Sequence, residues 1–217
     1  MKTKIKYLYY EAGAIEALSS KEMSSWRTEV TEKLSSPDCY PYDPVAQESK
    51  KVGKPSGEQV KYITGLKMGG HWRQFLEAMN KIWFADVIPN VDLIELFRAM
   101  QIKATLEGNY VEDLYLYGDY EAVCRSRWII LYYPKGTSTV GSIYELFLAT
   151  LLHIPVYLIL PDMPKTECNS SLLYGIIMSG GEIFYSVNEC VKYIKEKYSL
   201  AEPLKKEDKK DEKKEEK

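Results

Sequence analysis

Short apolar runs alternate along this chain with segments whose apolar positions recur every three to four residues. The clearest case is residues 128–160. It opens at Trp128 with an apolar run over 128–133, about the length of a buried strand. Residues 134–139 are rich in Pro, Gly, Ser and Thr and form a turn. A helical pattern covers 142–153, and a second apolar run covers 155–160. Strand, loop, helix and strand in this order make a βαβ unit with parallel strands and a right-handed crossover. Ligands of such sheets bind at the carboxyl ends of the strands. The loop 134–141 therefore belongs to the ligand edge, and Glu145 is expected in the first helical turn behind it.

The same reading extends to the rest of the chain. Residues 5–10 predict a first strand. The small residues Ala12, Gly13 and Ala14 then form either a turn that lets a ligand approach the backbone or an ordinary strand-to-helix turn. Residues 21–34 are helical, with Trp26, Val30 and Leu34 on one face. Residues 39–42 make a short second strand, which Asp43-Pro44 ends. Residues 47–70 are polar and read as a surface excursion with some helix over 58–67. Stronger helices follow over 71–85, with a stripe of Trp72, Phe75, Met79, Ile82 and Trp83, and over 91–105, with Leu93, Leu96, Phe97 and Met100. Such stripes are expected to pack in a core rather than form a cofactor box, and a long helical insertion of this kind could cover a pocket or make an oligomer contact. Gly118-Asp119 starts a short helix that runs to Arg125. Residues 172–178 are apolar, 182–185 are a last strand, and Ser186 and Glu189 form a capping-box pattern that opens a final helix.

The alternation predicts an α/β, flavodoxin-like parallel sheet of four or five strands, with helices on both faces and a helical insertion over about 46–116. One domain is expected over residues 1–202. Residues 205–217 contain only Lys, Glu and Asp, so 203–217 read as a solvated tail. A hydrophobic fraction of 45% supports a sizeable core, and a net charge of −2 gives no reason to expect a nucleic-acid partner. No apolar run approaches the roughly 20 residues that span a bilayer. The four cysteines are widely spaced and form no C-x-x-C pair, which fits reduced thiols and a cytoplasmic location.

Few residues offer chemistry. His71 and His153 sit near helix ends and read as structural, so neither a metal nor a cofactor is expected. Glu145 is an acid in an otherwise apolar helix (Ile143, Leu146, Phe147, Leu151). It is either a dipole-stabilised residue facing solvent or a carboxylate held at the floor of a pocket. In the second case it could serve as a nucleophile at a sugar carbon. Asp119 is the other well-placed acid.

Several pieces occur in an order that resembles the nucleoside 2-deoxyribosyltransferase-like superfamily, which includes N-glycosidases of nucleoside 5′-monophosphates. They are Tyr10-Glu-Ala-Gly-Ala-Ile-Glu16, Trp26-Arg27, Tyr42-Asp-Pro44, Asp119, the loop from Gly136 to Glu145, and Pro155-Val-Tyr-Leu. The resemblance covers residues 5–45 and 117–186. It implies that Glu145 is a nucleophile forming a glycosyl-enzyme, that Tyr10 positions it, and that Asp119 contacts the base or assists its departure. Gly13 would lie against the ligand, and Ser138, Thr139, Gly141 and Ser142 would line the sugar and its 5′ end. It also implies a nucleoside or nucleotide as ligand and a homo-oligomer. The chain departs from relatives at Arg127, where many have an Asp, and at Glu11, where they have an apolar residue. Thr139 stands where deoxyribosyltransferases often have Asp; the hydroxyl residues Ser138, Thr139 and Ser142 suit a phosphate better, and Arg127 or Arg27 would add charge.

The expected function is cleavage of an N-glycosidic bond, with the sugar passed to water or to another base. The alternative is a non-catalytic nucleotide-binding or interaction protein on the same fold.

Overall fold

A parallel sheet buried on both faces needs strands that are apolar on both sides, and the central runs supply them. A computed structural model describes residues 2–14, 20–55, 58–85, 92–137 and 140–201. In chain order its elements begin with β1 (Lys4–Ile5), β2 (Tyr7–Gly13), α1 (Ser20–Lys33), β3 (Cys39–Tyr42), α2 (Pro44–Val52) and α3 (Glu58–Met68). There follow α4 (Trp72–Phe84), α5 (Leu93–Glu107), β4 (Asn109–Tyr110), a 3-10 turn (Val111–Leu116), α6 (Asp119–Arg125) and β5 (Trp128–Tyr132). The chain closes with α7 (Val140–Leu151), β6 (Val156–Ile159), α8 (Ser170–Met178), β7 (Glu182–Phe184) and α9 (Val187–Tyr198).

Five strands pair in the order β3-β2-β5-β6-β7, all parallel, which is the flavodoxin-like order. The strand order reverses between β2 and β5, where Gly13 pairs with Tyr132 at the carboxyl edge. The two short strands β1 and β4 pair antiparallel beside the main sheet.

Alternation along the strands divides the core in two. Tyr10, Ala12, Ile129, Leu131, Val156 and Leu158 face α6, α7 and α8. Tyr9, Trp128, Ile130, Tyr157 and Ile159 face α1 and α9, where Trp26, Val30 and Leu34 are buried as their spacing predicts. Each fully buried side chain of this size contributes about 1.5–3 kcal/mol relative to exposure.

Three expectations change. First, β2 runs on to Gly13, so the small-residue segment is strand rather than turn through that residue. A Cβ on Gly13 would come within 2.9 Å of the Trp26 ring, so the glycine lets α1 pack close. Second, Asp43-Pro44 does more than end β3. The Asp43 side chain accepts from the Val45 N–H and Pro44 begins α2, a helix that the polar composition of this region concealed. Third, α5 buries none of its described side chains. Its Leu93, Ile94, Ile102 and Leu106 are exposed, while Phe97 and Met100 rest against the core. The capping pattern at α9 holds: the Ser186 hydroxyl accepts from the Glu189 N–H, and the Glu189 carboxylate accepts from the Tyr185 N–H. No helix among the described residues is long and apolar enough to cross a membrane.

Candidate active site

Above the switch point lies a cavity of about 730 Å³. The sheet side of its wall comes from Gly13 and Ala14 of the β2 end, Asp119 and Tyr120 of α6, and Gly141, Ser142, Tyr144 and Glu145 of α7. The facing wall comes from the inserted helices, with Glu48 of α2, Ile63 of α3, and Asn80, Ile82, Trp83 and Phe84 of α4.

Glu145 is 6% exposed and lines this cavity, which decides between its two sequence readings in favour of the pocket floor. Helix α7 begins at Val140, so Glu145 stands in the second turn rather than the expected first. The Tyr10 hydroxyl donates to Glu145 Oε1 at 2.6 Å in a buried contact. The Tyr10 ring is itself fixed by stacking on Tyr42, with centroids 5.4 Å apart. Burial pushes the Glu145 carboxyl up to about 8; the Tyr10 hydroxyl and the charge of Arg27 work against that rise, and Asp119 adds to it.

Asp119 opens α6 as predicted, with Gly118 as its N-cap. It is held by an ammonium that the sequence did not reveal. Lys51 of α2 donates to Asp119 Oδ1 at 3.3 Å, to the Tyr42 hydroxyl at 2.9 Å and to the Ile82 carbonyl at 3.2 Å. These acceptors match the three N–H bonds of an ammonium. Tyr42 donates in turn to the Tyr117 carbonyl at 2.9 Å. Burial raises the Asp119 carboxyl, while Lys51 and Tyr42 oppose the rise. The ion pair makes Asp119 the member of the cluster best supported as an anion.

Glu48 is different. It is buried, it lines the cavity, and no hydrogen bond or ion pair joins its carboxyl to another described residue. Burial, then the neighbouring Asp119 and Glu145 carboxyls, push it well above the usual carboxylate range, against the pull of Lys51 and Arg27. Three carboxyls in one buried cluster cannot all ionise cheaply. The environments sort them: Asp119 has an ammonium, Glu145 has a phenol donor and Glu48 has neither.

The other predicted residues fall out as follows. Gly13, Gly141 and Ser142 line the cavity with Glu145 and Asp119. Tyr10 acts from behind Glu145. Arg27 is buried outside the lining, with its Nε 3.4 Å from Asp43 Oδ1, and reaches the cluster through its charge. Ser138 and Thr139 lie outside the described residues. Arg127 is exposed at the amino end of β5, where its guanidinium lies over Tyr198, at the edge opposite the cavity. Glu11 faces α1, where its Oε1 accepts from Thr31; burial and then Asp43 hold its carboxyl at about 8. His71 caps α4 and His153 follows α7, both exposed and outside the lining. Among the described residues no group of three or more His, Cys, Asp or Glu side chains could hold a metal ion.

Sequence reading missed Glu48, Lys51, Asn80 and the cavity role of Trp83 and Phe84. The Asp43-Pro44 cap was the available signal for α2, and it would have set Glu48 and Lys51 one turn apart on a helix. Compared with known proteins, the chain matches no family model and no curated protein.

Proposed function

We propose that this protein cleaves the N-glycosidic bond of a nucleoside or nucleotide, with Glu145 as nucleophile. The observation that carries this reading is a buried carboxyl on the cavity floor, hydrogen-bonded at 2.6 Å by a buried phenol and sharing its cavity with a second, ion-paired carboxylate. In the reaction a Glu145 oxygen attacks the anomeric carbon as the carbon–nitrogen bond breaks. The bonding electron pair leaves with the base nitrogen, which takes up a proton. Water or a second base then attacks the same carbon, releases the carboxylate and completes hydrolysis or transfer. Tyr10 orients the nucleophile and favours its anion. Asp119, fixed by Lys51, accepts hydrogen bonds from the departing base.

The alternative of a non-catalytic nucleotide-binding protein has one observation in its favour. A Glu145 carboxyl held at about 8 is mostly neutral, and so a poor nucleophile, at pH 7. Turnover separates the two. The chain is incubated with deoxynucleosides, ribonucleosides and their 5′-monophosphates, with and without an acceptor base, and released or exchanged base is followed by chromatography. Release that Glu145→Ala abolishes supports the enzyme. Release that survives the substitution removes Glu145 as nucleophile, and binding without turnover on any substrate favours the alternative.

A homo-oligomer belongs to the same reading. The exposed Ile143, Tyr144, Phe147 and Leu151 of α7 and Tyr174 and Ile177 of α8 offer an apolar face to a second copy. Sedimentation of a monomer at all concentrations would refute it. A cytoplasmic setting fits the four unbridged thiols.

A further inference from the structure

When an N-glycosidic bond breaks, the base takes up a proton, and a side chain placed to give that proton speeds the step. Asp119 cannot give it. The Lys51 ammonium donates to its Oδ1 and keeps it an anion, and an ionised carboxylate only accepts. Glu145 cannot either, because a carboxyl nucleophile attacks as its anion. Lys51 spends its three N–H bonds on Asp119, Tyr42 and the Ile82 carbonyl. Tyr120 and Tyr144 line the cavity, but a phenol releases its proton poorly near neutral pH, and burial pushes the Tyr120 hydroxyl up to about 12.

Glu48 remains. The Asp43 cap starts α2 and puts Pro44, Val45, Gln47 and Glu48 on its buried face. Glu48 is 8% exposed, lines the cavity, and has no hydrogen bond or ion pair to another described residue. A buried carboxyl that no donor or cation answers directly keeps its proton. Burial and the charges of Asp119 and Glu145 act in that direction and outweigh the pull of Lys51 and Arg27. Glu145 ionises before Glu48, because Tyr10 donates to Glu145 and no described group donates to Glu48. The two also stand on different walls, Glu145 on the sheet side and Glu48 on the inserted helices. A nucleophile and an acid that flank the scissile bond are what displacement at a sugar carbon requires.

We propose that Glu48 is the general acid that protonates the departing base. The carbon–nitrogen bond breaks and its electron pair moves into the base. The Glu48 proton passes to a nitrogen or oxygen of that base while a Glu145 oxygen bonds to the anomeric carbon. The Glu48 carboxylate left behind then takes a proton from the incoming water or base, which attacks the same carbon and frees Glu145. Both carboxyls thereby return to their starting states. This assignment rests on the glycosidic reading for the bond that breaks.

The test uses bases that depart without an acid. Guanosine is compared with 7-methylguanosine, whose cationic base leaves as a neutral molecule and takes up no proton. Uridine is compared with 5-fluorouridine, whose base leaves more readily as an anion. The 2′-deoxy compounds and the 5′-monophosphates are run alongside. Glu48→Gln, which keeps the shape of a neutral carboxyl, should lower kcat/KM about a hundredfold or more on the parent compounds and less than about fivefold on their activated counterparts. Glu48→Ala should repeat the pattern, whereas Glu145→Ala should abolish release from both. The parent-to-activated ratio is taken within one preparation, so a variant that folds only in part still gives it. Equal losses on both members of a pair make Glu48 a packing or positioning residue and overturn the proposal. No loss on either overturns it, as does an intact chain that releases base from the activated compounds alone. In each of these cases base is still released by the intact chain, so only this inference falls. If the intact chain releases base from none of the compounds, the glycosidic reading falls with it.

Discussion

A phenol donating at 2.6 Å to a buried carboxyl does two things at once: it aims one oxygen and it lowers the cost of ionising it. The pH dependence follows. Burial holds Glu145 at about 8; on the proposed glycosidic reading only its anion attacks, so kcat/KM should rise with pH and level off above about 8. Tyr10→Phe removes the donor that favours the anion. It should move this limb to higher pH and lower kcat/KM roughly tenfold to a hundredfold, the worth of a hydrogen bond to a charged group. A pH–rate profile checks both; an unmoved limb would leave Tyr10 a packing residue. Glu145 was legible in the sequence because an acid in an apolar helix stands out, although pattern alone could not say which way it faced. Asp119 was legible through the Gly-Asp start of its helix. Glu48 and Lys51 lie among polar residues, where a charge usually means solvent, and only the packing of α2 and α4 over the sheet edge buries them; Asn80 is hidden by the apolar stripe around it.

At the scale of elements, the cavity depends on how closely α4 docks on the start of α6. Gly118 makes that contact: a Cβ there would come within 2.5 Å of the Trp83 carbonyl oxygen and 2.8 Å of the Phe84 nitrogen. Both are backbone atoms, so no rotamer change relieves the clash. Gly118→Ala should therefore cost about 1–3 kcal/mol, read as a lower urea midpoint, and on the proposed reading should weaken nucleoside binding by displacing the aromatic wall. An unchanged midpoint and affinity would mean that α4 is not seated there. The βαβ unit was legible to within two residues at the start of α7, since periodicity changes sharply between strand and helix. Helix α4 was legible as a helix, but its stripe was read as core. Ile82 is buried and lines the cavity, whereas Trp72 is 59% exposed. Periodicity identifies the apolar face of a helix and leaves open what that face meets.

For the whole molecule, buried carboxyls link stability to pH, Glu48 and Asp119 among them. Glu11 and Glu145 are both raised from an ordinary value near 4.5 to about 8 by burial. Between these values the native state keeps protons that the unfolded chain has lost. Stability is therefore full below about 4.5 and falls as pH rises, by up to about 1.4 kcal/mol per pH unit for each group, until about 8. Urea midpoints at pH 5, 6.5 and 8 should show this decline. Glu11→Gln, which keeps an acceptor for Thr31, should make it shallower; parallel curves would show that Glu11 ionises normally. The sheet order was legible in outline, because alternating strands and helices favour parallel pairing, but the pairing of the first strand with the third could not be read from local pattern. That pairing has a consequence for synthesis. Tyr9 meets Trp128, and Gly13 meets Tyr132, with all of α2 to α5 between them in the chain. While the nascent chain is being made, β2 can pair early with β3, but its other edge has no partner until β5 emerges. Long-range parallel pairing is slow because the loop must close before contacts reward it. The edge that finishes at the centre of the sheet is thus the one that waits longest with unsatisfied N–H and C=O groups, and it is there that a chaperone would have most to protect.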